Sequence, residues 1–399
     1  MKIEAQLGDD TLYKEGLTIY TTVDMQMQRT AQNALEKGLR TIERRQKYSK
    51  SKPPLQGALI CMDVHTGHIK AMVGGRNFSK SRFNRAIQAI RQPGSAFKPI
   101  IYCAALDSGF TAATIIIDSP VVMENQENDF VWKPNNYEKM FYGPTTLRRA
   151  LALSRNLVSI KLLQSLGVDT VIDYARLLGI TSPIKKNLSI ALGSSGVTLI
   201  ELIRAYTVFA NGGYLIDPVC VIKIENQSQK IISFQKGKEK KQVIDAETAY
   251  CMTHMLQAVV QEGTARRVKD LKHPIAGKTG STNNLYDAWF IGYTPKYITG
   301  VWIGFDQPES IGEKETGARA ALPIWKSFMK EILGGQKVRK FKIPSGVTFL
   351  MIDSDTGTLP TPNTKHTVYE CFKEGTEPNP LDSDKTEDVS HDSFFKDQF

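Results

Sequence analysis

The chain has 399 residues, of which 41% are hydrophobic and 23% charged, and its formal net charge is +10. These values indicate a globular protein with a substantial core, and they exclude a disordered or fibrous chain. No continuous run of about 18 apolar residues is present, so a membrane-spanning helix is not expected within this sequence.

The first elements are a strand and a helix, followed by a hairpin. The segment LTIYTTV, which starts at Leu17, predicts a strand, and the apolar spacing over 25–45 predicts an amphipathic helix. A Lys-, Ser- and Pro-rich linker follows. Alternating apolar residues on both sides of the turn HTGH then predict a β-hairpin over 57–75.

A buried helix is predicted to begin close to Ser95, in the stretch RQPGSAFKPI. Pro99 cannot lie deep in a helix, because it lacks an N–H group, and Gly94 permits a tight entry. Residues three apart share a helix face, so Ser95 and Lys98 are expected to touch. Burial would favour the neutral amine of Lys98, which is a base beside a nucleophile. The alternative is a surface Ser and Lys on an ordinary helix.

Helices dominate the middle of the chain and strands return near its end. Helices are predicted at 144–154, 156–167, 198–213, 245–260 and 320–333, and strands at 274–280, 287–294 and 297–305. Because helices and strands segregate, the predicted fold class is α+β. Its centre is expected to be an antiparallel β-sheet flanked by helices, with a helical subdomain inserted between the strands from the two ends of the core.

Two further stretches bear on Ser95. Ser154 begins S-x-N, with Asn156, between two predicted helices, where the ordinary interpretation is a helix N-cap. Lys278 begins K-T-G on a strand, where the ordinary interpretation is an edge lysine beside a bulge. The order S-x-x-K, S-x-N, K-T-G is nevertheless the motif set of penicillin-binding proteins and class A β-lactamases, and it is far more specific than any single motif.

The wider sequence is similar to one family in particular. The segments LRRALALSRNLVSIKL, ALGSSGVTLIELIRAYTVFANGG, EGTARRV and AGKTGSTNNLYDAWFIGYTP resemble the transpeptidase domain of class A, bifunctional penicillin-binding proteins of the 1A-like type. The resemblance runs from about Leu17 to about Pro378. It implies the fold shared with serine β-lactamases, and a longer protein with a glycosyltransferase domain and a membrane anchor at the periplasmic face of the bacterial inner membrane.

The resemblance also suggests a division of the chain. Residues 1–52 are expected to link to the missing glycosyltransferase domain, and 53–341 to form the transpeptidase domain. Residues 342–378 are expected to form a small β annex, and 379–399 an acidic, disordered tail.

The residue chemistry and the resemblance agree on the roles of the motif residues in acyl transfer, and the resemblance implies that the donors are stem peptides that end in D-Ala-D-Ala. Ser95 is the expected nucleophile and Lys98 its proton acceptor. Ser154 is expected to pass the proton to the leaving amine, and Lys278 to keep the hydroxyl network at positive potential. β-Lactam antibiotics are expected to acylate the same serine.

Four further residues are expected to bind the substrate, together with backbone groups. The N–H groups of Ser95 and Ser281 are expected to hold the oxyanion. Gly280 leaves the strand edge open for an extended peptide to pair with it. The Thr279 and Ser281 hydroxyls are expected at the terminal carboxylate, and the Asn156 amide at the substrate peptide bond.

Alternatives with the same motifs are a D,D-carboxypeptidase, a serine β-lactamase and, outside the enzymes, a β-lactam sensor domain. A Ser-His-Asp hydrolase is disfavoured, because no G-x-S-x-G segment surrounds Ser95. No cofactor or metal is predicted, since zinc and phosphate-cradling motifs are lacking and the turn pair His65 and His68 has no third ligand nearby. Nucleic acid is not expected as a partner, because the basic clusters do not interleave with aromatic residues.

Overall fold

The computed structural model describes residues 16–49, 51–125, 130–234 and 240–378. The tail predicted at 379–399 lies outside the described residues. The first half contains β1 (Thr18–Thr21), α1 (Met25–Arg45), β2 (Gln56–Asp63), β3 (Ile69–Val73), α2 (Lys98–Asp107), β4 (Ile115–Asp118), β5 (Met123–Asn125), β6 (Phe130–Trp132), β7 (Gly143–Thr146), α3 (Leu147–Ala152), α4 (Asn156–Leu166) and α5 (Val168–Leu177). The second half contains α6 (Leu199–Ala210), β8 (Tyr214–Leu215), β9 (Val221–Glu225), β10 (Ile231–Phe234), β11 (Lys241–Gln242), α7 (Ala246–Gln261), β12 (Ala276–Ser281), β13 (Asp287–Tyr293), β14 (Tyr297–Gly304), α8 (Ala321–Leu333), β15 (Val347–Asp353) and β16 (Thr367–Lys373).

A five-stranded antiparallel sheet forms the centre of the fold. Its strands pair in the order β12, β13, β14, β2, β3, so strands from both ends of the core meet in one sheet. Strand β12, which carries the K-T-G motif, lies at one edge. This arrangement confirms the predicted α+β class with its central antiparallel sheet.

Helices cover both faces of this sheet. On one face, a Cβ atom added at Gly300 would lie 2.8 Å from Leu199 of α6. On the other, a Cβ atom added at Gly292 would lie 2.9 Å from Trp325 of α8. Both glycines let a large apolar helix face approach the strands closely, which is how the sheet is buried.

The helical subdomain surrounds α2. Every residue of α2 from Lys98 to Leu106 is buried, and the helix packs against α4, α5 and α7. The prediction of a helix from Pro144 is wrong, because Pro144 pairs within β7 against β4 and α3 begins only at Leu147. Thr146 caps α3 by accepting a hydrogen bond from the Arg149 N–H, and this cap fixes where the helix starts.

The hairpin of β15 and β16 is joined to the helical subdomain through a buried carboxylate. Glu370 of β16 accepts hydrogen bonds from His254 at 2.7 Å and from Arg148 at 3.0 Å. Burial opposes ionisation of Glu370, but His254 and Arg148 overcome it and lower the pKa of this carboxyl. None of the helices in the described ranges combines the length and apolar character needed to cross a membrane.

Candidate active site

Ser95 lies in a single 3-10 turn, Gly94–Phe97, that continues directly into α2 at Lys98. The backbone of Gly94 has φ +55°, and a Cβ atom there would lie 2.2 Å from the Ser281 carbonyl oxygen. At Gly280, a Cβ atom would lie 2.3 Å from the Pro93 carbonyl oxygen. The turn that holds Ser95 is therefore packed backbone to backbone against β12, which only glycine allows at these two positions.

The side chain of Lys98 is fully buried and reaches the S-x-N motif. Its Nζ donates to the Ser154 carbonyl at 2.7 Å, to the Arg155 carbonyl at 3.1 Å and to Asn156 Oδ1 at 2.8 Å, and it lies 3.4 Å from Ser154 Oγ. In the described part of the chain, Ser95 is not among its hydrogen-bond partners. Lys98 thus joins α2, which continues from the turn of Ser95, to the turn at 154–156.

Ser154 stands between the two lysines of the motifs. Its hydroxyl oxygen accepts a hydrogen bond from Lys278 Nζ at 2.9 Å and lies 3.4 Å from Lys98 Nζ. Its backbone has φ +62°, the left-handed region that is uncommon for residues other than glycine. The interpretation of Ser154 as a helix N-cap is wrong, since the N-cap position of α4 is Arg155.

The two lysines are buried close together, and this sets their protonation. Burial lowers the pKa of Lys98 well below its usual value, and the positive charges of Lys278 and Arg155 lower it further. Burial also lowers the pKa of Lys278, to about 7. Both shifts favour the neutral amine, and the repulsion between two ammonium groups disfavours charging both lysines at once.

Asn156 is the first residue of α4, and its amide is already held in this structure. Its Oδ1 accepts from Lys98, while its Nδ2 donates to the Asn135 carbonyl at 2.9 Å. A substrate peptide bond would have to share this amide with Asn135. The side chain of Asn156 is oriented by both contacts at once.

The hydroxyls of the K-T-G strand have partners that the motifs alone do not indicate. Thr279 Oγ1 lies 2.8 Å from Thr264 Oγ1, and Ser281 Oγ accepts from the Gly317 N–H at 2.9 Å. Sequence reasoning missed Thr264, although it lies in the EGTARRV segment that carries part of the resemblance. A lone threonine before a turn gives no chemical signal of its own.

Two other residues behind the site were also missed. Tyr206 of α6 donates its hydroxyl hydrogen to the Ala96 carbonyl at 2.6 Å, directly behind Ser95. Asn136 accepts a hydrogen bond from the Asn156 N–H at 2.8 Å. Neither could be found from spacing, since each reaches the site from a distant part of the sequence.

Comparison with known proteins agrees with this geometry. The model of the penicillin binding protein transpeptidase domain matches residues 57–330. The chain belongs to the penicillin-binding protein transpeptidase family. A second model, the C-terminal domain of penicillin-binding protein 1A, matches residues 343–386. The predicted resemblance to the 1A-like members of this family is thereby confirmed.

Curated relatives of this family cover most of the chain. Penicillin-binding protein 1A of Pseudomonas aeruginosa is 41% identical, over 80% of this chain and 45% of that protein. Penicillin-binding protein 1A of Neisseria meningitidis serogroup A is 42% identical, over 74% of this chain and 38% of that protein. The chain thus spans less than half the length of these relatives.

Solved structures of family members share the fold. Penicillin-binding protein 1A from Haemophilus influenzae superposes with a TM-score of 0.87 at 25% identity, covering 95% of this chain and 75% of that one. The PonA1 protein from Mycobacterium tuberculosis, solved in complex with penicillin V, gives a TM-score of 0.73 at 26% identity, covering 86% of this chain and 93% of that one.

Proposed function

We propose that this chain is a D,D-transpeptidase that cross-links peptidoglycan stem peptides through an acyl-enzyme on Ser95, and that β-lactams acylate the same residue. The observation that carries the proposal is the hydroxyl of Ser154, which lies 2.9 Å from Lys278 Nζ and 3.4 Å from Lys98 Nζ. Two buried lysines on one hydroxyl, beside the turn of Ser95, form a proton relay rather than an ordinary structural contact.

These positions support the following acylation step. Neutral Lys98 takes the Ser95 proton as Ser95 Oγ bonds to the carbonyl carbon of the penultimate D-alanine. The bond from that carbon to the terminal D-alanine nitrogen breaks, and Ser154 delivers the proton to this leaving amine. Lys98 passes the proton that it took from Ser95 on to the Ser154 oxygen and returns to the neutral amine. Lys278, as the ammonium, stabilises the negative charge that develops on that oxygen.

The substrate is proposed to lie along β12, the edge strand of the sheet, beside the turn of Ser95. Backbone N–H groups of Ser95 and Ser281 would hold the oxyanion, and the hydroxyls of Thr279 and Ser281 would bind the terminal carboxylate. The close packing at Gly280 keeps this edge next to Ser95, and Asn156 would face the substrate peptide bond. The amine of a second stem peptide then attacks the acyl carbon, which forms the cross-link and frees Ser95.

The wider assignment is part of the same proposal. Residues 53–341 would form the transpeptidase domain and 342–378 its annex, with 1–52 leading from a glycosyltransferase domain. The full protein would be anchored in the inner membrane and act in the periplasm, as the relatives' lengths suggest, since they are more than twice the matched span. No cofactor is required by the relay.

A donor and acceptor assay tests the proposal. Polymerised, uncross-linked peptidoglycan strands are incubated with the chain, and released D-alanine and cross-linked muropeptides are counted, with Ser95→Ala as the control. Cross-links and D-alanine in equal amounts, both dependent on Ser95, are expected, whereas short soluble peptides should cross-link poorly. D-alanine release without cross-links would instead identify a D,D-carboxypeptidase, and no release would overturn the proposed function.

A further inference from the structure

A loop before β7 wraps around the S-x-N turn from outside the motifs. Asn135 accepts a hydrogen bond from Asn156 Nδ2, and Glu138 forms an ion pair with Arg155 at 3.1 Å. The Arg155 guanidinium stacks on the Tyr142 ring, with its Cζ atom 3.3 Å from the ring centre. The turn that presents Ser154 is thus held by residues that lie 13 to 21 positions before their partners in the chain.

Asn136 is the centre of this loop. Its side chain is 3% exposed, and its Oδ1 accepts from the Asn156 N–H at 2.8 Å and from the Leu157 N–H at 3.4 Å. These are free N–H groups of the first turn of α4, whose own N-cap residue makes no side-chain cap. Asn136 therefore caps the helix from another segment and fixes where α4 begins.

A buried carboxylate holds Asn136 in turn. Asp118, at the end of β4, is fully buried, and both of its oxygens lie 2.9 Å from Asn136 Nδ2. The same nitrogen also donates to the Met140 carbonyl at 2.9 Å. Buried carboxylates are costly unless they accept hydrogen bonds, so this contact orients the amide with its oxygen toward α4.

We infer that Asn136, oriented by Asp118, is a positioning residue that holds Ser154 and Asn156 in place for the two lysines; the inference rests on the proposed function. Ser154 has a left-handed backbone, which persists only where the surroundings hold it. The cap at Asn156 is one residue removed from Arg155 and two from Ser154. Asn156 Oδ1 also accepts a hydrogen bond from Lys98. The cap from Asn136 to the Asn156 N–H therefore positions the Ser154 turn and this contact of Lys98 together.

The test compares acylation by benzylpenicillin with amide exchange in the same variants. Asn136→Ala is expected to slow acylation by about 100-fold, the scale of a displacement of about 1 Å in a reacting group. The Asn156 and Leu157 amides should exchange faster in this variant. The matched control is Asn211→Ala, since Asn211 also bonds one backbone N–H and one carbonyl, those of Tyr214 and Val64, away from the site.

A charge-swapped pair separates positioning from folding. Asn136→Asp places a second carboxylate against that of Asp118, and this variant should be acylated as slowly as Asn136→Ala. Adding Asp118→Asn restores an amide that donates to a carboxylate, and it should recover acylation at least about 10-fold over Asn136→Asp alone. Thermal unfolding of each variant shows whether it is folded at the assay temperature.

The results divide cleanly. Slow acylation in folded Asn136→Ala, faster Asn156 exchange and recovery in the swapped pair support the inference. A folded Asn136→Ala that is acylated at the wild-type rate, or that leaves the exchange of Asn156 unchanged, overturns it. If the wild-type chain is not acylated at all, the proposed function fails, and the amide exchange alone still decides whether Asn136 positions the turn.

Discussion

The Nζ of Lys278 lies 2.9 Å from the hydroxyl oxygen of Ser154. These residues are 124 positions apart, one on the edge strand β12 and the other in the turn before α4. The contact joins the K-T-G motif to the S-x-N motif. Lys98, which also approaches the Ser154 hydroxyl, joins the S-x-x-K motif to both. A serine that served only as a helix cap would not need a buried lysine on its hydroxyl.

Replacing Ser154 by Ala should leave the fold intact and slow acylation by benzylpenicillin. Loss of a proton-transfer group typically costs about 10²–10⁴-fold, and the second-order acylation constant measures it. Ser165→Ala is the control, because Ser165 lies at the exposed far end of α4, the helix that follows Ser154, and donates to the Lys161 carbonyl. Equal acylation rates in Ser154→Ala and Ser165→Ala would show that Ser154 transfers no proton in this step.

The acylation rate should have a maximum in pH. It should fall in acid as Lys98 takes up a proton, at a pH below the usual lysine range, because the pKa of Lys98 is lowered by burial and by Lys278. It should also fall above about pH 7 as Lys278 loses its charge, since burial lowers the pKa of Lys278 to about 7. A stopped-flow pH profile of acylation would show both limbs.

The variant Lys278→Arg isolates the alkaline limb of that profile. Arginine keeps its charge at every accessible pH, so the decline above neutrality should disappear even if the maximal rate is lower. The acid limb should remain. An alkaline limb that persists unchanged in Lys278→Arg would show that another group titrates there.

Gly280→Ala should separate the turn of Ser95 from β12. The added Cβ would lie 2.3 Å from the Pro93 carbonyl oxygen and 2.9 Å from Ala96 Cβ, so the backbone must shift. Acylation should fall by about 100-fold, because Ser95 moves relative to Lys278. Gly346→Ala, whose Cβ would meet the flexible Glu247 side chain at 2.9 Å, should keep the wild-type rate. A wild-type rate in Gly280→Ala would contradict the close packing.

Glu201→Gln should destabilise the chain at neutral pH. Glu201 accepts six hydrogen bonds from Thr181, Ser182 and Thr198. Burial alone would raise the pKa of Glu201, but these bonds lower it to about 2. The lowered pKa stabilises the fold above the unfolded value of 4.5, and this stability is lost as the pH falls toward 2.

Thermal unfolding at several pH values measures this effect. The melting temperature of Glu201→Gln should lie several degrees below that of the wild type at pH 7, and the gap should close in acid. Glu247→Gln, also in the first turn of a helix, is the control. A gap that stays constant down to pH 2 would show that the carboxylate charge is not what stabilises this helix.

The sequence indicates the candidate catalytic residues but not the residues that hold them in place. Ser95, Lys98, Ser154 and Lys278 are residue types that acyl transfer requires, and the antiparallel sheet follows from short apolar runs separated by turns. Asn136 and Tyr206 carry no such mark, because each contacts the site through hydrogen bonds to backbone groups of another segment. The start of α3 was also mispredicted, since Pro144 is equally suited to a helix start and to an edge strand, and only its pairing with β4 decides.

The most direct measurement is the intact mass of the chain over time with benzylpenicillin, followed by mapping of the modified peptide. A single, lasting adduct is expected, located on Ser95 and missing in Ser95→Ala. An adduct that disappears as the drug is consumed would indicate a hydrolase. An adduct on another residue, or none in the folded wild type, would contradict Ser95 as the nucleophile of this site.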